Sequence, residues 1–112
     1  KLASQIDLWL DDERNPSDPQ IQNNFGSKGT EIWVKTVEEA ISYIEQNNVT
    51  FISFDNDLGE GKLEGRHLAA WIEEAAHFKK IPKIGWNVHS RNPKGSEQIV
   101  AAMTNADRFW DS

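Results

Sequence analysis

The chain has 112 residues, 38% of them hydrophobic, which is enough for one core and too little for two ordinary domains. Acidic residues outnumber basic ones 18 to 12, and the resulting net charge of -6 argues against broad electrostatic gripping of a nucleic-acid backbone. The absence of cysteine excludes a disulfide framework and a thiolate zinc site, so any metal must sit on oxygen or histidine.

The start shows no basic-then-apolar signal segment, and no apolar run is long enough to span a membrane. The expectation is a single cytoplasmic domain over 1–112 with no membrane partner.

The first element, IDLWL (Ile6 to Leu10), reads as a strand and runs straight into Asp11, Asp12, Glu13 and Arg14. Glu13 to Thr30 is the most linker-like stretch. Within it, DPQIQNNFG predicts a short helix with Asp18 as cap and Pro19 inside the first turn. EIWVK (Glu31 to Lys35) is a second strand. Thr36 to Asn48 then places Val37, Ala40, Ile41 and Ile44 at helical spacing.

TFISF (Thr50 to Phe54) is a third strand and delivers Asp55 and Asp57 into a glycine-rich turn. Leu63 to Lys80 predicts a helix with Leu68, Trp71, Ile72 and Ala75 on its apolar face. KIGWNV (Lys83 to Val88) is a fourth strand and leads into His89, Ser90 and Arg91. A last helix follows, capped by Asn92, with Pro93 in its first position and Ile99, Met103 and Ala106 on its core face.

Strands alternating with helices predict a parallel sheet with right-handed crossovers and helices on both faces. The second and fourth strands alternate polar with apolar residues and look like edges, so the predicted order is 2-1-3-4, with the first and third strands central and adjacent. An exposed fourth-strand edge is compatible with a homodimer without requiring one.

Sheets of this kind bind ligands outside the carboxyl ends of their strands. Both central strands therefore bring acids to one crevice, where like charges repel unless a cation neutralises them. Since every ligand on offer is a hard oxygen, Mg or Mn is the expected ion. Aspartates also end strands as turn formers and caps, but two acidic motifs at matched strand ends favour the metal. His89 is placed to move a proton beside this cluster. Amides around Lys94, Gly95 and Ser96, at a helix N-terminus, are placed to hold a phosphate oxygen.

His67 and His77 are expected to be solvated, and Lys79, Lys80 and Lys83 to complement a helix C-terminus. Trp9, Trp33, Trp71 and Trp86 fall at packing positions. Trp110 either covers the fourth-strand edge or docks on a partner.

The acidic pair after the first strand, D-x-x-L-G after the third with the further Gly65, and a hydroxyl residue ending the fourth resemble response-regulator receiver domains. That resemblance implies a flavodoxin-like fold. It matches Asp11 and Asp12 to the receiver's acidic pair, Asp55 to its phosphoacceptor and Ser90 to its serine or threonine, with Asp57 offering a backbone carbonyl to the metal. The fifth strand and lysine that follow the fourth helix in ordinary receivers have no match in the remaining DRFWDS, which makes the expected fold a truncated receiver.

A narrower likeness lies in LDDERNP, FDNDLG and VHSRNPKG, which resemble the cyclic-phosphate-processing receiver-like family with its DDxR, D-H-D-L-G and H-S-x-N-x-x-G motifs. It implies a site of Arg14, Asp55, His89 and Ser90 for catalysis. Arg14, Ser90, Asn92 and Gly95 would hold phosphate, and Asp11, Asp12, Asp55 and Asp57 would hold metal. Asn56 stands where that family usually carries histidine. The family is associated with cyclic-phosphate ends or cyclic nucleotides, often in phage and mobile-element settings.

Three functions follow as expectations: a metal-dependent phosphoesterase acting on a small phosphorylated ligand or RNA end, a receiver-like signalling module phosphorylated at Asp55, or a non-catalytic nucleotide-binding module. The hhhhDxDL pattern also resembles haloacid-dehalogenase-like phosphatases, but there the motif ends the first strand and needs a larger domain behind it.

Overall fold

A computed structural model describes residues 5–112. The elements run β1 (Ile6–Leu10), α1 (Pro19–Phe25), β2 (Ile32–Val34), α2 (Val37–Gln46), β3 (Val49–Phe54), α3 (Gly65–His77), β4 (Gly85–Val88) and α4 (Pro93–Asp111). All strands are parallel in one sheet of order β2-β1-β3-β4, the order expected from the alternation and the edge polarity and the flavodoxin-like one that the receiver resemblance implies. Among the described residues no helix is long and apolar enough to cross a membrane.

The edge strands are shorter than their sequence runs suggest. Glu31 and Lys35 fall outside β2, and Lys83 and Ile84 fall outside β4. An edge strand has one neighbour only, so its ladder ends where that neighbour's pairing ends.

Local signals set the helix ends. Asp18 accepts from the Gln20 amide at 2.9 Å and Pro19 opens α1; Gly26, at φ 82°, closes it. Thr36 caps α2 by accepting from the Glu39 amide. At α3, His67 takes the reciprocal part of the cap, its Nδ1 accepting from the Glu64 amide at 2.8 Å. The expectation of a merely solvated His67 is corrected by that bond. α4 runs past Ala106, the last core-face residue predicted for it, to Asp111. Lys79 donates to the Phe109 carbonyl and Lys83 pairs with Asp111, so the basic cluster does serve a helix C-terminus.

The two sheet faces are unequal. Leu8, Leu10, Ile52 and Phe54 point to one side and pack with Val37, Ala40 and Ile44 of α2, Leu68 and Ile72 of α3, and Ile99, Met103 and Ala106 of α4 in one core. The alternate positions, Asp7, Trp9, Phe51, Ser53 and Asn87, face the other side. There α1, which buries no residue, and its flanking loops lie, with Lys28 reaching Asp7 and the Phe51 ring.

Trp110 packs against the core and donates its indole N–H to the Ile81 carbonyl, so it is satisfied within the chain.

Register is what positions the site. Leu10 pairs with Val34 and Phe54, and Phe54 with Val88. One residue further on, the Asp11 amide donates to the Val34 carbonyl, Asp55 to Leu10 and His89 to Phe54. Three polar residues thus leave the sheet side by side, one step past its last apolar row.

Candidate active site

Asp11 is fully buried and both its oxygens are occupied. Oδ1 accepts from the Glu13 and Arg14 amides at 2.9 Å each. Oδ2 accepts from Arg14 Nη1 at 3.1 Å and lies 3.0 Å from His89 Nε2. Two indoles fix the loop that makes this possible: Trp9 donates to the Arg14 carbonyl at 3.0 Å and Trp33 to the Asp11 carbonyl at 2.6 Å.

Asp55 is 5% exposed, its Oδ1 taking its neighbour's amide at Asn56 and its Oδ2 standing 3.4 Å from the same Arg14 nitrogen. The two carboxyls respond in opposite directions. Burial pushes Asp11 up, but the bonds from His89, the loop amides and Arg14 outweigh it and hold the group below the usual range. Asp55 is raised by burial and then by the charge of Asp11, with too few donors to compensate.

Asp11, Asp12 and Asp55 can each place a carboxylate oxygen within 4.8 Å of the others. The donor set is all hard oxygen and fits a divalent ion of the Mg, Mn or Ca kind. Arg14 Nη1 lies between Asp11 and Asp55 and neutralises them as a cation would.

Asp57 is exposed and is not one of the three converging groups; its carboxylate accepts from the Asn92 side chain at 3.3 and 3.4 Å.

The imidazole of His89 is buried behind Asp11. It lies flat on Trp9, with ring centroids 3.8 Å apart, and its Nδ1 is 2.8 Å from Ser53 Oγ, which also bonds Asn87. Both of its nitrogens are thus engaged inside the protein, Nε2 with Asp11 and Nδ1 with Ser53.

Ser90 turns inward to the backbone, its Oγ accepting from the Asn92 amide at 3.0 Å. Asn92 caps α4 by accepting from the Gly95 amide, and its carbonyl accepts from Ser96. Two of the three amides expected to hold phosphate are therefore already used. Gly95 is buried against Asn56 and contributes space.

The cleft above the acids has a volume of about 710 Å³. Asp12, Glu13, Arg14, Asp55, Asp57, Glu60, Glu64, Arg91 and Asn92 line it, with Leu58, Gly59 and Pro93. Sequence reasoning placed the acids, Arg14 and Asn92 here. It missed Trp9, Trp33 and Ser53 as the groups that fix Asp11 and His89, because their side-chain hydrogen bonds leave no pattern in spacing.

Residues 6–105 match the family described as the cyclic-phosphate processing receiver domain. Among solved structures, the chain is similar to that of the phosphorylated cyanobacterial phytochrome response regulator RcpA. The two are 17% identical, with 97% of this chain and 96% of that chain covered and a TM-score of 0.47. No curated protein matches the chain.

Proposed function

The chain belongs to the cyclic-phosphate processing receiver domain family, and from that premise we propose that it is a metal-dependent phosphoesterase acting on a cyclic or terminal phosphate of a nucleotide or RNA end. The observation that carries this reading is the convergence of Asp11, Asp12 and Asp55 at the carboxyl ends of adjacent strands, with Arg14 among them.

Asp11, Asp12 and Asp55 would hold Mg or Mn, which when bound would supply Lewis acidity toward a phosphoryl oxygen. Arg14, whose planar fork suits two phosphate oxygens, would bind the phosphate beside them. His89 and the loop amides keep Asp11 ionised and aimed at the ion. In the hydrolysis, water forms a new bond to phosphorus, one ester P–O bond breaks, and the leaving oxygen ends with the proton.

The signalling reading is favoured by a separate feature: Asp55 stands at the end of β3 facing the cleft, as a phosphoacceptor must. Purified protein with Mn, incubated with 2',3'-cyclic nucleotides, 3',5'-cyclic nucleotides and an acyl phosphate donor, separates the readings. The phosphoesterase reading expects ring opening that a chelator abolishes. Labelling of Asp55 by the acyl phosphate alone would transfer the protein to the signalling class, and nucleotide binding without turnover to the third.

A further inference from the structure

Two guanidinium groups that line the cleft share one aromatic ring. Arg14 lies 4.3 Å and Arg91 4.6 Å from the centroid of Phe25, which puts the two charges no more than about 9 Å apart, the sum of those distances. That is within the ~10 Å Debye length of dilute salt, so they repel. Arg14 is compensated by Asp11 and Asp55. Among the described residues Arg91 forms no ion pair, although carboxylates line the same cleft.

The contact with Phe25 is what makes Arg91 useful to a ligand: its guanidinium carbon sits over the ring, 4.6 Å from the centroid, while its N–H donors have no partner among the described residues. The backbone beneath it is also fixed. His89 before it bonds to Phe54, and Asn92 after it bonds to Ser90 and caps α4. Phe25 in turn is set by the Asp18 cap at one end of α1 and the left-handed Gly26 at the other, and its ring also meets His89 edge-on.

The cleft's charge narrows the ligand. Six carboxylates line it (Asp12, Glu13, Asp55, Asp57, Glu60 and Glu64) against two guanidiniums. Even with one divalent ion bound, the surroundings stay negative and penalise a doubly charged phosphate monoester or a polyphosphate more than a singly charged diester. We infer that Arg91 and Arg14, carried together on Phe25, form the anion-binding half of the cleft and select a singly charged phosphodiester. The choice of phosphate rests on the reading above; the role of Arg91 does not depend on the reaction.

Calorimetric titration with two probes that are neither cyclic nor nucleotides, diphenyl phosphate and phenyl phosphate, in Mn near neutral pH, tests this. The diester should bind more tightly than the monoester. Arg91→Gln should weaken the diester about tenfold, as expected for a lost charged hydrogen bond, with Mn affinity not reduced, since a competing cation is removed, and melting temperature unchanged because the side chain is exposed. Arg91→Lys should recover little, and Phe25→Leu should weaken the diester by a smaller factor than Arg91→Gln.

Wild-type diester affinity in Arg91→Gln, preference for the monoester, or no binding of either probe overturns the proposal. Arg91-dependent binding without turnover of cyclic nucleotides would instead remove the phosphoesterase reading and leave this one standing. Turnover that survives Arg91→Gln with wild-type binding would do the reverse.

Discussion

A β-carbon added to Gly95 would fall 2.4 Å from the side-chain amide of Asn56. Asn56 cannot easily yield, since it is 2% exposed, its oxygen accepts from the Arg66 amide, and its nitrogen reaches Asp57 and Glu64. Gly95→Ala should therefore cost about 1–3 kcal/mol, the usual range for overpacking a closed site. Denaturant unfolding measures it, and Asn56→Ala in the same chain should return part of the loss. Additive losses would show that the contact is not the cause.

Arg14 and a metal ion neutralise the same two carboxylates. Removing the guanidinium leaves Asp11 and Asp55 more negative and frees the position between them. Arg14→Gln should bind Mn roughly 3–10 times more tightly, by the usual scale of one partly exposed charge, while melting lower than wild type in chelator. Titration calorimetry and paired melts check both; weaker Mn binding would show that Arg14 supports the ion site.

The strand order and the shared crevice were legible because they follow from alternation and from polarity at strand edges. Asp11 and Asp55 were legible because a buried parallel strand ending on an acid is a conspicuous conflict. The placement of His89 behind Asp11 was not. Its burial depends on the flat contact with Trp9 and on Ser53 from the neighbouring strand, long-range pairings with no local signature. The expectation of free amides near Gly95 failed for a local reason: the Asn92 cap that starts the helix also consumes the donors. Phe25 lay in the stretch read as most linker-like, where periodicity carries least information.

Ser53 supports the site from below the sheet's last row. Ser53→Ala leaves Nδ1 of buried His89 without its partner, at a cost of about 1–3 kcal/mol for an unsatisfied buried group. Asn87 is exposed and can turn to water, so it adds little. Chemical denaturation should show the loss, and Mn affinity should fall less than in Asp11→Asn, since Asp11 keeps its three other donors. A variant as stable as wild type would mean that the ring nitrogen needs no partner there.

Asp55 and Asp57 stand two residues apart and should behave unlike one another. Asp55 belongs to the converging cluster, whereas Asp57 is exposed and tied to Asn92. Asp55→Asn should lose most Mn affinity, about tenfold or more, and Asp57→Asn clearly less, since its carboxylate bonds Asn56 and Asn92 and none of the converging carboxylates. Stability separates them again. Because burial and the Asp11 charge raise Asp55 above its value in the unfolded chain, the native state holds that proton more tightly. The stabilisation is full below the unfolded value and is lost as pH rises through the raised native one, leaving an ionised carboxylate that costs stability at neutral pH. In chelator, Asp55→Asn should thus melt higher than wild type by several degrees near neutral pH, with the gap closing as pH falls below the unfolded value. Added Mn should reverse the order, since only the wild type gains the ion's binding energy. Melts of both variants across pH, with and without Mn, decide it: equal behaviour of the two, or an Asp55→Asn protein that is no more stable in chelator, would refute the assignment.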